Sequence, residues 1–149
     1  MTPMPPDQEI ARVDSKGRIT IPARMRDLLG MYEGAYASIS LGEGDQSINV
    51  SLFAGPQSKL VELRLKIPDR PGALARAARA LGELNIDLLL SRSRTIKKGD
   101  TAEWVVVVDM AQSRRTIEEV RRKLLEERNA TAVEVKEFQP EKTERSNEL

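Results

Sequence analysis

An interruption between two β-like runs divides this chain of 149 residues into two units. In the stretch FAGPQSK, Gly55, Pro56 and Ser58 separate the run QSINVSLF from the run KLVELRLKI. Glycine and proline end regular structure because the first is conformationally permissive and the second lacks an amide donor. We therefore predict a domain boundary at 54–58, with a linker over 55–58. Each unit is then a small domain.

The first unit, residues 9–54, reads as β-β-α-β-β. The runs EIARV and RITIP flank the turn DSKG, where Gly17 can take a positive φ, and predict a hairpin that ends at Pro22. The stretch PARMRDLLG predicts a short helix closed by Gly30. The runs YASISL and QSINVSLF alternate around GEGD and predict a second hairpin. A unit of this size buries little surface alone, so we expect it to dimerise.

The second unit, residues 59–138, reads as β-α-β-β-α-β. KLVELRLKI alternates as a strand, and apolar residues then repeat at helical spacing through PGALARAARALGELN. IDLLLSRSRTI and AEWVVVVDM flank the turn KKGD as an antiparallel pair. A second helix, with Thr116 and Glu119 as a possible capping box, precedes the strand ATAVEVKEF. This order is the ferredoxin-like pattern, so the predicted class is α+β.

Composition excludes several functions. The chain has no cysteine and no histidine, which removes thiol chemistry, the commonest general base and the commonest metal ligands. We therefore expect no catalysis, no cofactor and no bound metal. No apolar run approaches the ~18 residues of a membrane span, and the start MTPMPPDQE lacks signal-peptide features, so the expected location is the cytoplasm. Residues 1–8 and 139–149 are predicted to be disordered.

Charge is segregated in the first unit although the whole chain has a net charge of only +1. Residues 12–26 hold five bases against the single acid Asp14, whereas residues 27–55 hold four acids and no base. The five bases are Arg12, Lys16, Arg18, Arg24 and Arg26. Such a cluster can simply be solvated beside a turn. It can also form a local positive patch that attracts a polyanion.

The stretch VDSKGRITIPARMRDLLGMYEGAYASISL resembles the swapped-hairpin DNA-binding domains of the AbrB, MazE and SpoVT group, over about residues 9–53. The positions that carry the resemblance are Gly17, Arg18, Ile21, Pro22, Arg26, Leu29, Gly30 and Gly34. It implies that two chains interleave their hairpins into one small barrel that binds duplex DNA. Arg18 and Arg26 then face the DNA, with Arg12, Lys16 and Arg24 on phosphates. Asp27 stands where some relatives have another base.

The stretch IPDRPGALARAARALGELNIDLL resembles the ACT domain, a module that senses small molecules, and the resemblance extends over residues 59–138. It implies that an amino acid binds where the loop before the first helix meets a neighbouring domain. The ligand carboxylate then lies on the free amides of Gly72, Ala73 and Leu74, and its ammonium on Asp69 or a carbonyl. The implied ligand-binding residues are Asp69, Arg70, Pro71, Gly72, Ala73, Leu74, Asn85, Ile86 and Asp87. A purely structural interpretation is that Asp69 caps the helix and Pro71 opens it, and many ACT domains only dimerise.

Three functions follow from these patterns. The leading one is a homodimeric or higher-order transcriptional regulator, in which the ACT half senses an amino acid or related metabolite and alters binding to duplex DNA. The second is a regulatory subunit that does not bind DNA and acts on an amino-acid biosynthetic enzyme through its ACT half. The third is an antitoxin-like protein, in which the disordered tail binds a toxin. None of the three involves a membrane.

Overall fold

A computed structural model describes residues 8–140 of the chain. Contacts divide the chain into two compact units that meet between Gln57 and Ser58. No helix between residues 8 and 140 is long and apolar enough to cross a membrane.

The first unit contains one helix and one hairpin. Helix α1 spans Ala23–Leu29, follows Pro22 and ends at Gly30, whose φ of 72° is the left-handed conformation that glycine adopts without strain. Strands β1 (Tyr36–Leu41) and β2 (Ile48–Ala54) then pair antiparallel. The helix and the second hairpin therefore lie where the sequence predicted them.

The predicted first hairpin is wrong in this structure, because neither EIARV nor RITIP forms a strand. Only the turn between them is present: the Asp14 amide donates to the Arg18 carbonyl at 3.0 Å, and the Gly17 amide donates to the Asp14 carbonyl at 3.1 Å. A two-stranded ribbon is marginal unless a third strand or a helix covers its apolar side. No strand of the described first unit pairs with it, so the swapped barrel remains a prediction.

Apolar side chains of the first unit are left in solvent. Between residues 8 and 57 only Met31 and Ala54 are buried apolar residues. Ile10 is 90% exposed and Ile39 is 67% exposed. Other large apolar side chains exposed in the unit are Val13, Ile19, Leu28, Leu29, Leu41, Ile48 and Leu52. This unit has the apolar residues for a core but does not enclose them.

The second unit is a four-stranded antiparallel sheet with two helices on one face. Its elements are β3 (Leu60–Pro68), α2 (Ala73–Glu83), β4 (Asp87–Lys97), β5 (Thr101–Asp109), α3 (Ile117–Glu126) and β6 (Ala132–Glu137). The strands lie in the order β4-β5-β3-β6. This arrangement confirms the predicted β-α-β-β-α-β pattern of the C-terminal part and its ferredoxin-like topology.

The core of the second unit lies between the sheet and its helices. Leu63 and Leu65 of β3 are fully buried against residues of α2 and α3 such as Leu81 and Leu124. Trp104 of β5 is 1% exposed, and its indole N–H donates to Ser91 Oγ at 2.6 Å. Because its polar atom is satisfied, the one tryptophan of the chain belongs to the core.

Helix α3 starts where a side chain supplies a missing hydrogen bond. The Glu119 amide donates to Thr116 Oγ1 at 3.2 Å, so Thr116 is the N-cap. This contact is one half of the capping box that the sequence suggested.

Candidate functional site

The loop between β3 and α2 is tied to the turn between β4 and β5. The Gly99 amide donates to Asp69 Oδ2 at 2.7 Å, and the Asp69 amide donates to the Asp100 carbonyl at 3.1 Å. Asp69 therefore does not cap α2, which corrects the structural interpretation of this residue. Helix α2 begins at Ala73, after Gly72, and no side chain caps it. The loop is therefore held by its hydrogen bonds to the β4–β5 turn and not by a cap on the helix.

Gly72 gives the loop its shape. Its φ of 85° and ψ of −12° lie in the left-handed region. The turn brings the Ala73 amide to the Arg70 carbonyl at 3.2 Å. The expected free amide at Ala73 is therefore engaged, and it is not available to a ligand carboxylate. The expectation fails at Ala73 because the sequence does not show that the loop closes a turn on itself, whereas the amide donors expected at Gly72 and Leu74 stay a prediction.

A cleft of about 330 Å³ opens beside this loop. Asp69, Arg70 and Leu74 line it from the loop and from α2. The rest of its wall comes from β3, β4 and β5 as Ile67, Pro68, Ser93, Arg94, Thr95 and Ala102. The cleft thus combines a carboxylate, guanidinium groups, two hydroxyls and an apolar wall. Arg94 is paired with Glu103, with Nε and Oε1 separated by 3.2 Å.

The structure brings together only part of the predicted ligand set. Asn85, Ile86 and Asp87 lie at the other end of the sheet, because Asp87 pairs with Asp109, which pairs with Leu60 at the start of β3. Asp69 follows the end of the same strand. Eight residue steps along a strand correspond to roughly 26 Å. Within one chain the two groups are therefore too far apart to hold one amino acid, and the predicted set as a whole stays a prediction.

Asn85 and Ile86 have structural roles in the described chain. Asn85 takes a left-handed φ of 57°, a conformation that asparagine tolerates better than most residues. Its amide donates to the Gly82 carbonyl at 3.1 Å, and the Ile86 amide donates to the Leu81 carbonyl at 3.3 Å, so these bonds end helix α2. Ile86 is buried in the core. Helix termination and core packing account for these two residues.

The other candidate surface is the basic cluster of the first unit. Arg12, Lys16, Arg18 and Arg24 are exposed, and Arg26 is half-buried. Arg18 Nε contacts Asp14 Oδ2 at 2.8 Å, and the side chain of Arg18 is still 70% exposed. The amide of Arg18, its guanidinium and the amide of Lys16 together lower the pKa of the Asp14 carboxyl below its ordinary value.

Arg26 is held inside the first unit. Its Nη1 donates to the Ile21 carbonyl, which links α1 to the segment before Pro22. An arginine that fixes a backbone carbonyl has fewer donors left for a partner. Arg18, which extends into solvent from the turn, therefore has more freedom to reach an acidic partner than Arg26.

Sequence reasoning missed the strand residues of the cleft. Ser93, Arg94 and Thr95 of β4 line it, and none of the three is among the ligand-binding residues that the sequence predicted. The available signal was the β-α-β-β order itself, which pairs the start of β5 with the end of β4 beside the β3–α2 loop.

Comparison with known proteins identifies a domain in the second unit. Residues 61–125 match the family model of the ACT domain, so an ACT domain is present there. This match points to a regulatory, non-catalytic role for the second unit. The match does not extend to the first unit, and the AbrB-type domain remains a resemblance.

A solved structure is also similar to this chain: the ligand-free form of the regulatory subunit of aspartate kinase from Thermus thermophilus. The two are 17% identical, with a TM-score of 0.42, and the match covers 70% of this chain. The chain spans 57% of the length of that structure. No curated protein matches the sequence.

Proposed function

We propose that this protein is a metabolite-responsive regulator, and that the cleft beside the β3–α2 loop binds an amino acid. One observation carries the proposal: Asp69, Arg70 and Leu74 line a single cleft in an ACT domain, with opposite charges and an apolar side chain together. An amino acid has the matching groups. Arg70 pairs with its carboxylate, Asp69 with its ammonium, and Leu74 contacts its side chain.

The experiment is a thermal-shift screen of the full chain against the twenty amino acids, followed by calorimetric titration of each hit. Arg70→Ala removes the guanidinium group proposed to pair with the ligand carboxylate and is expected to weaken binding by about tenfold or more. Arg79→Ala is the matched control, because Arg79 is exposed on α2 and does not line this cleft. Equal affinity of the Arg70→Ala variant and the unmodified protein would place the amino acid elsewhere.

For the output of this sensor, the comparisons favour a regulatory subunit of an amino-acid biosynthetic enzyme. They find an ACT domain and give no support for DNA binding. Such a subunit acts through protein contacts, and the apolar residues exposed on the first unit are available for them. Co-purification of the tagged full chain with such an enzyme, with activity that depends on the effector, is the expected result.

Duplex DNA is a second candidate output, favoured by the basic cluster. Four exposed bases lie within residues 12–24, and a symmetric dimer doubles them. Fluorescence anisotropy with duplex DNA tests this candidate at low and at moderate salt. Arg18→Ala is expected to weaken binding and to reduce its salt dependence, whereas Arg79→Ala is the control. Binding that is insensitive to both salt and Arg18→Ala excludes the DNA-binding output.

The antitoxin interpretation depends on a tail of which only residues 139 and 140 lie within the described part of the chain. No described feature favours it over the other two outputs.

A further inference from the structure

The outer face of the ACT sheet, opposite the helices, carries a groove with a charged end and an apolar end. Strand alternation turns Leu63 and Leu65 of β3 toward the helices, which leaves Glu62 and Arg64 on the other face. Beside β3, Val105 and Val107 of β5 occupy this outer face. The outer face is therefore made of the strand residues that the helices do not cover.

Two neighbouring cavities form this groove. One, of about 280 Å³, is lined by Glu62, Arg64, Arg92, Arg94, Glu103 and Val105. The other, of about 260 Å³, is lined by Glu62, Leu90, Arg92, Val105, Val107, Phe138 and Gln139. Glu62, Arg92 and Val105 line both. The groove thus runs from an arginine-rich end to a floor of aliphatic side chains.

Arg64 carries a donor that residues 8–140 leave unsatisfied. Its Nε is buried and has no hydrogen-bond partner among the described residues. A buried donor on a charged group is costly when it is unpaired. Arg92 lies on the other side of the same residue, since both Arg64 and Arg92 pair with Val105 in the sheet register. A carboxylate above Val105 would lie between the two guanidinium groups.

Glu62 decides what kind of carboxylate fits. Glu62 lines both halves of the groove, and its negative charge would repel a simple anion. An ammonium group beside it removes that repulsion. Glu103 lines the groove as well, but it is already paired with Arg94. The charges left for a ligand are therefore two cations and one anion.

We infer that this groove is a second binding site, for an α-amino acid with an apolar side chain. The ligand carboxylate lies between Arg64 and Arg92, its ammonium contacts Glu62, and its side chain lies on Val107 and Leu90. The inference does not depend on the cleft beside Asp69. Among the lining residues, only Arg94 borders both places.

The test is calorimetric titration of the full chain with leucine, isoleucine, valine, methionine and phenylalanine. Arg64→Met keeps the length of the side chain and removes its charge, and it is expected to weaken the tightest of these ligands by about tenfold or more. Lys66→Met is the matched control: Lys66 is the next outward residue of β3, is exposed and lines neither half of the groove. The affinity of the Lys66→Met variant for the same amino acid is expected to stay within about twofold of that of the unmodified chain.

Two analogues of leucine test the charge assignment. Loss of the ammonium gives 4-methylpentanoate, and loss of the carboxylate gives 3-methylbutylamine. Both are expected to bind at least about tenfold more weakly than leucine, because each leaves one charged partner unsatisfied. If 4-methylpentanoate binds as tightly as leucine, the role of Glu62 is refuted.

Three results would overturn the site itself. The first is unchanged affinity in both Arg64→Met and Arg92→Met. The second is binding that is lost in Arg70→Ala but kept in Arg64→Met, which places the ligand in the loop cleft and supports the proposed function alone. The third is the absence of binding by all five amino acids at millimolar concentration. Unfolding midpoints of the variants show that each one is folded.

Discussion

Replacing Gly72 and Gly82 by alanine, one at a time, is expected to change the stability of the ACT domain in opposite directions. Both glycines are exposed, and they lie at the two ends of α2. At Gly72 the φ of 85° is a conformation that alanine adopts at a cost of about 1–2 kcal/mol. The added Cβ also lies 2.9 Å from Arg76 Nη1, the flexible end of a side chain that can move. Backbone strain therefore decides the sign.

At Gly82 the same substitution meets no obstacle. Gly82 is a helical residue, and a Cβ placed there meets no atom within 4 Å other than those of its chain neighbours and of the helix backbone. Alanine lowers the backbone entropy of the unfolded chain and favours the helix, which is worth about 0.5 kcal/mol near a helix end. At Gly72 a similar entropic gain offsets part of the strain. The expected net changes are about 1 kcal/mol of destabilisation for Gly72→Ala and about 0.5 kcal/mol of stabilisation for Gly82→Ala.

Urea unfolding followed by tryptophan fluorescence measures both changes. Trp104 is the one tryptophan of the chain and is buried in the second unit, so its emission reports the unfolding of that unit. The Gly72→Ala variant should also bind the effector of the loop cleft more weakly, since the turn at Gly72 positions Arg70. A shift of both unfolding midpoints in the same direction would refute the assignment of strain to Gly72.

Three further predictions concern single side chains. Contacts with Arg18 and Lys16 lower the pKa of the Asp14 carboxyl in the folded protein. The stability that these contacts contribute is therefore present above the pKa that Asp14 has in the unfolded chain, and it is lost as the pH falls through the lower pKa of the folded protein. NMR titration should show that the pKa of Asp14 rises in Arg18→Ala. Thr116→Ala removes the N-cap of α3 and should cost about 1 kcal/mol in the same urea assay, whereas Thr116→Ser should cost less. Ile39→Asp places a charge in the exposed apolar surface of the first unit and should shift the protein toward the monomer in analytical ultracentrifugation. An unchanged sedimentation coefficient would show that this surface does not join subunits.

The second unit could be predicted from the sequence because its signals are local. The apolar side of the first strand is indicated by the alternation in KLVELRLKI. The apolar side of the following helix is indicated by the helical spacing of apolar residues from Leu74 to Leu84. A single layer of helices on one sheet face then buries nearly all of the apolar residues on those sides. Residues such as Leu63 and Leu81 therefore lie where their spacing indicates.

The candidate site could be predicted only in part, because it depends on distances between elements. Asp69 and Asn85 flank the same helix, yet the eleven residues of α2 carry the chain from one end of the sheet to the other. No sequence pattern predicted the groove on the outer face of the sheet. Alternation shows that Arg64 leaves the core, but not that its Nε becomes buried between neighbouring strands.

The first hairpin shows a different limit. EIARV and RITIP have the composition of strands, and the turn between them forms, but strand pairing also requires an apolar surface to cover one side of the ribbon. In the described first unit no other strand pairs with these runs, and the apolar side chains around them stay exposed. The local preference of these runs is therefore not sufficient to make them strands.

The two units differ in how completely they enclose their apolar residues, and this difference bears on assembly. The ACT unit buries sixteen residues in one cluster, whereas Ile10, Ile39 and Leu41 of the first unit face solvent. Exposed apolar surface of this kind is stable only when something covers it. A second copy of the chain offers the same surface and needs no other partner. Association through the first unit would bring two basic turns together, so one assembly step would complete the core and double the charge around Arg18.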